Sequence, residues 1–263
     1  MYQYNPVVGG LILVNDAKAD AALAQAKANI GEAEYKKGYS EESAKIIAGE
    51  MKKTGTPVIK KIAGEFNGIA VVTNESGGIK YPKLRVMIGN TLLSLDIGGE
   101  YAQRALCKIE TLIRDEFEGE VVLSAFTEVV ERDGRNYANH VAALKYASDL
   151  VEVAVYAGHF GIVAGLVREG TEKIRSAEAK SQERRAIKVD YFTTLAEELA
   201  ELRPLVKPEP AAAPERTPAQ APVRQAAAPA RPAAMPQRRT APNPQYATPA
   251  LANFDDMDDD IPF

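Results

Sequence analysis

Residues 80–96 read KYPKLRVMIGNTLLSLD. From Tyr81 to Ile88 the side chains alternate, with Tyr81, Lys83, Arg85 and Met87 on one side and Leu84, Val86 and Ile88 on the other. A period of two with one aliphatic side is the pattern of a strand that buries one face. Gly89 and Asn90 then form a turn, and TLLSLDI returns as a second strand.

The same reading extends outward from this stretch. PVIKKIAGEFNGIAVV, starting at Pro57, is β-branched and broken by glycines, and NESGG (residues 74–78) is a turn that makes it the strand before. After the pair, GGEYAQRALCKIETLIRDEF places Ala105, Leu106, Ile109, Leu112 and Ile113 at helical spacing. GEVVLSAFTEVV is a further strand, ERDGR a hairpin turn of the Asp-Gly type, and NYANHVAALKY the strand that returns. Strand, strand, strand, helix, strand, strand predicts an OB-fold-like five-stranded β-barrel over residues 56–147, in a chain of the α+β class.

The flanks differ. Residues 1–55 read as a helical N-terminal extension. Asn15 or Asp16 caps an Ala-rich helix, and Ser40, with Ser43 a less favourable alternative, caps a second helix whose first turn carries Glu41 and Glu42. Residues 148–203 form a helical block that packs on the barrel or on a partner subunit. Its opening, LVEVAVYAGHFGIVAGLV, suits a strand or a helix; its end repeats Phe192, Leu195, Leu199 and Leu202 at helical intervals. Residues 204–250 are Pro and Ala with scattered Arg and Gln, too poor in apolar bulk to offset ordering entropy, and are expected to be a disordered linker. Residues 251–263 are an acidic tip.

The chain of 263 residues has a formal net charge of -4, but the charge is segregated. The tip holds five Asp and no base, while the linker holds six bases against two acids, so residues 1–203 are only mildly acidic. Any polyanion site there is a local patch. Cys107 is the single cysteine, which excludes an intrachain disulfide and a Cys-based metal site and suits a reducing cytosol. The first residues lack a basic n-region, and no segment approaches the ~18 apolar residues of a membrane span. A cytoplasmic protein without membrane contact is expected.

Catalytic signatures are thin. His140 and His159 have no ligand-spaced acid or thiol beside them and read as surface or core-edge histidines. No phosphate-loop motif occurs, and the glycines of GIAVVTNESGG suit a strand end and a turn. Ser124 lacks the glycine pair of a nucleophile elbow. The expectation is no enzyme, no metal and no cofactor.

The tip is more specific. The chain ends NFDDMDDDIPF. An acid run alone is usually a solvated charge face. Here Ile261, Pro262 and Phe263 add a stiff apolar plug, and the terminal carboxylate offers an arginine two oxygens. Asp258, Asp259 and Asp260 steer the plug toward a basic rim. This is a docking peptide. Together with the linker and the element order before it, MDDDIPF resembles the C-terminal tip of bacterial single-stranded-DNA-binding proteins. The resemblance implies single-stranded DNA as ligand and docking of replication, recombination and repair enzymes on Asp258 to Phe263. It covers the tail and the domain order. Tryptophan, on which that family stacks bases, is absent, and the helical flanks are foreign to it, so the chain is similar to divergent analogues carried by bacteriophages or mobile elements, acting in a bacterial or infected-host cytosol.

Single strands bind basic grooves with aromatic platforms. Tyr81, Lys83 and Arg85 are the best candidates. Lys60 and Lys61 are expected beside them on the preceding strand, and Arg132, Arg135 and Tyr137 on the Asp-Gly hairpin. Phe66 and Phe126 are assigned to the core. Two other readings fit the same residues: a recombination mediator or annealing protein that assembles into a homo-oligomer, and a single-strand-binding cofactor of a phage polymerase.

Overall fold

The computed structural model describes residues 1–206 except 77–78, 133–134 and 157. The linker beyond residue 206 and the docking tip, including Asp258 to Phe263, lie outside the described residues.

The N-terminal region opens with a hairpin, not a helix: β1 (Tyr2–Asn5) and β2 (Gly10–Leu13) pair antiparallel. Each strand has only four residues, too few for a period to register in sequence. Then follow α1 (Ala17–Ile30), α2 (Glu32–Lys36) and α3 (Glu41–Lys53). Asp16 is the cap of α1, accepting from the amides of Lys18 and Ala19, and Ser40 caps α3 through the amide of Ser43.

The central elements are β3 (Lys61–Ser76), β4 (Ile79–Ile88), β5 (Thr91–Asp96), α4 (Glu100–Arg114), β6 (Glu120–Arg132) and β7 (Arg135–Tyr146). Their order is the expected one. Their pairing is not that of a closed five-stranded barrel. Among the described residues the strands form one curled seven-stranded sheet, ordered β2-β1-β5-β4-β3-β6-β7. The outer edge of β5 takes β1 in parallel, through Tyr2 opposite Leu93 and Gln3 opposite Ser94, where a five-stranded barrel would bring β7.

β3 turns the sheet. Lys61–Glu65 pairs with β6, and Phe66–Ser76 pairs with β4, with the register slipping between Phe66 and Ile69. Gly68 sits in that bulge at φ +83°, and a Cβ there would stand 2.3 Å from the carbonyl oxygen of Pro204, so this is a position for glycine. At the other end Leu11 and Ile59 exchange two backbone hydrogen bonds of 2.8 Å, which brings β2 back against the residues that lead into β3.

The hairpin separates two cores by its period of two. Leu11 joins the main core with Leu84, Val86, Leu93, Leu95 and nearly the whole of α4. Its neighbour Ile12 joins a second core with Val7 and Val8 of the β1–β2 turn and with Ala19, Ala22, Ile47 and Met51 from α1 and α3. The ambiguous stretch resolves into an extended piece whose backbone meets β7 at Leu144 and Tyr146, followed by helix α5 (His159–Thr171). α6 (Ala177–Leu202) buries Phe192, Leu195, Ala196 and Leu199, whereas Leu202 is exposed. No described helix is long and apolar enough to cross a membrane.

Candidate nucleic-acid interface

Strand β4 places Tyr81, Lys83 and Arg85 on the outer face of the sheet, because Pro82, Leu84, Val86 and Ile88 turn inward and are buried. Their neighbours on β3 are Asn74, Val72 and Ala70, and those on β5 are Asp96 opposite Lys83 and Ser94 opposite Arg85. Tyr81, Lys83 and Arg85 are half-buried. The Lys83 ammonium lies 3.1 Å from Asp96 Oδ2, a pair in which the lysine side chain is 15% exposed and the aspartate 42%. The Arg85 guanidinium reaches Met1 Sδ at 2.6 Å, and its Nε is buried with no hydrogen-bond partner among the described residues. A buried guanidinium N–H without an acceptor is an unmet demand for one.

The other expected residues do not join this set. Lys60 and Lys61 lie at the end of β3 that meets β6, not beside β4, since the bend divides the partners of that strand. Lys60 moreover turns its ammonium onto the carbonyls of Val8 (3.0 Å) and Gly9, and burial lowers its pKa. Its role is to hold the β1–β2 turn. Lys61 is exposed opposite Ser124. Tyr137 is half-buried on β7 opposite Val130. Arg132 and Arg135 pair through their backbones at the end of the β6–β7 hairpin, and the turn between them lies outside the described residues. The two groups therefore sit toward opposite ends of β3, with the β3–β4 and β6–β7 hairpins projecting in opposite directions along it. Phe66 is buried as expected; Phe126 is only half-covered.

Two clusters were invisible in sequence. Tyr4 Oη lies 2.8 Å from His140 Nδ1 and 3.1 Å from Thr127 Oγ1, which is itself 3.0 Å from the same nitrogen. Tyr4 also stacks on Tyr101 at 4.0 Å. Burial, with Arg104 nearby, pushes the His140 pKa down to about 4, so the ring is neutral at pH 7. The second cluster joins three helices. Glu110 on α4 is fully buried, and its carboxylate meets Arg114 Nε at 2.7 Å and His159 Nε2 at 2.5 Å. His159 Nδ1 lies 2.7 Å from Tyr191 Oη on α6, whose pKa burial raises. Both histidines thus have partners, but Glu110 stands 49 residues from His159, a separation that no local spacing rule covers. The cluster borders an open cleft of about 650 Å³ and leaves every buried polar atom of Glu110 paired, the arrangement of a structural tie. No group of His, Cys, Asp and Glu among the described residues has the makings of a metal site. Compared with protein-family models, curated proteins and solved structures, the chain finds no match in any of the three.

Proposed function

We propose that this chain is a non-catalytic, cytoplasmic single-stranded-DNA-binding protein with an OB-fold-like strand-binding part, which covers exposed strands and recruits DNA-processing enzymes through Asp258 to Phe263. The observation that carries the reading is the terminal MDDDIPF after a Pro/Ala linker. Support comes from the outer face of β4, where an aromatic ring, an ammonium and a guanidinium stand in one row. A phosphate oxygen is an acceptor for the cations of this row, and a base supplies the ring with a stacking partner.

The test is fluorescence anisotropy with labelled single-stranded DNA, double-stranded DNA and single-stranded RNA across a salt series. It uses the full chain and the variant Tyr81→Ala/Lys83→Gln/Arg85→Gln. Tight binding to single-stranded DNA, weakened by salt and at least ten-fold weaker in the variant, is the expected result. Wild-type chain that binds no single strand at low salt would sink the proposal and leave the tail as a mimic that captures enzymes for another purpose.

A further inference from the structure

The row on β4 is flanked by Asn74, Val72 and Ala70 on β3 and by Asp96 and Ser94 on β5, and of these five Asp96 alone is charged. It stands directly opposite Lys83 on the same face of the sheet. Its two oxygens are divided between two partners. Oδ1 accepts the backbone N–H of Gly98 at 3.1 Å, which fixes the carboxylate at the corner that leads into α4. Oδ2 lies 3.1 Å from the Lys83 ammonium. The lysine is mostly covered, whereas the aspartate is 42% exposed. The member of the pair that meets water is therefore the carboxylate.

This arrangement treats phosphates and bases differently. A phosphate that comes to Lys83 must displace Asp96, and the displaced carboxylate stays beside it because Gly98 holds Oδ1. Two anions side by side repel. A base meets no such repulsion. The amino groups of cytosine, adenine and guanine are donors that a carboxylate accepts. The face of the same base can lie on Tyr81, the neighbour of Lys83 on this side of β4. Arg85 has Ser94 opposite it and no acid, so it is the place on the row left for phosphate. A single strand can satisfy both demands by turning its bases toward the sheet. A duplex keeps its bases stacked and paired, and offers a flat sheet face its phosphates.

We infer that Asp96 is a specificity-determining residue of the site: by holding Lys83 it turns duplex DNA away and leaves the row to single strands. Discrimination of this kind comes from a repulsive element set against the wrong ligand. The inference rests on the proposed single-strand-binding function.

The experiment compares wild type and Asp96→Asn by fluorescence anisotropy with a single-stranded and a double-stranded oligonucleotide of one sequence, across a low-salt series in which duplex binding is measurable. Asparagine keeps an Oδ1 acceptor for Gly98, and circular dichroism checks the fold. The preference for single strand over duplex should fall by about five-fold or more, through tighter duplex binding. The duplex salt slope should steepen by about 0.9, the mark of one more phosphate neutralised. Made on Lys83→Gln, the same substitution should steepen that slope no further, because no ammonium is set free. Glu42→Gln, which removes a like charge on α3, should leave the preference as it is. Should Asp96→Asn fail to fold, Lys83→Gln alone leaves the carboxylate uncompensated and should raise the preference for single strands; a lowered preference would overturn the inference. A wild-type chain that binds no single strand overturns the underlying function. A wild-type chain that binds, with an Asp96→Asn variant of unchanged preference, overturns the role of Asp96 alone. So does an equal gain for both ligands, which would mark a general effect of net charge.

Discussion

Protonation of His140 should loosen the joint between the N-terminal hairpin and the β6–β7 hairpin, and the size of the effect follows from its surroundings. The ring is 8% exposed and is held between Tyr4 and Thr127, with Arg104 close by. Its folded-state pKa is depressed from 6.5 to about 4. A depressed value means that the fold disfavours the cation. The stability it contributes is complete above the unfolded pKa near 6.5 and is lost as the pH falls toward 4. At about 1.4 kcal/mol per unit of difference, the loss is about 2 kcal/mol at pH 5 and about 3 kcal/mol at pH 4. Urea unfolding of the wild type and of His140→Gln, followed by far-ultraviolet circular dichroism at several pH values from 7.5 to 4, isolates this contribution. The acidic residues titrate in both chains and cancel in the difference. The stability of the wild type relative to the variant should fall by about 3 kcal/mol over that range. A difference that stays flat would refute the reasoning, because it would mean that His140 is hydrated in the folded state.

Other consequences are simpler to read. Gly9 has φ +57°, and a Cβ there would stand 2.3 Å from Thr127 Oγ1, so Gly9→Ala should cost more than about 1 kcal/mol in a urea melt; adding Thr127→Ala should recover part of it. Phe192→Ala empties a fully buried site between α6 and the sheet and should cost about 3–5 kcal/mol by the same assay. Asp16→Ala removes the acceptor for two amides at the start of α1 and should cost roughly 1 kcal/mol. Tyr81→Ala alone should weaken single-strand binding by about 1–3 kcal/mol, seen as a loss of affinity that does not alter the salt slope.

The strands of the central region were legible because each buries one face, so alternation marks them without knowledge of their partners. Asp16 and Ser40 were legible because capping is local chemistry. What sequence did not reveal is long-range. The joining of β1 to β5 and the Leu11–Ile59 bridge bring together residues 91 and 48 positions apart, and nothing in YQYN or GLIL announces them. Lys60 misled because a four-carbon stem can carry its ammonium back from an exposed position to a buried carbonyl. Lys61 misled because β3 bends, and neighbours on a straight strand are not neighbours on a bent one. The docking tip is the opposite case, since its whole argument lies in the residues of the motif.

The departure from a closed five-stranded barrel has a physical logic that bears on the binding face. A curled sheet has two edges, and each must be managed, because unpaired strand amides invite other strands. At one edge the backbone of Ile59 takes up Leu11 of β2. At the other, Val151 and Val153 bond to Tyr146 and Leu144 of β7, and Lys108 donates to the carbonyl of Ala142 at 2.8 Å. With both edges served in this way, β5 and β7 have no need of each other, and β1 can lie along β5. That placement sets Gln3 beside Ser94 and Met1 beside Arg85, so the hairpin that completes the sheet also borders the row proposed to receive DNA. If the row receives DNA as proposed, binding and the seating of the hairpin are linked through Arg85. A phosphate that draws the guanidinium away from Met1 acts on the same hairpin that His140 holds at its other face.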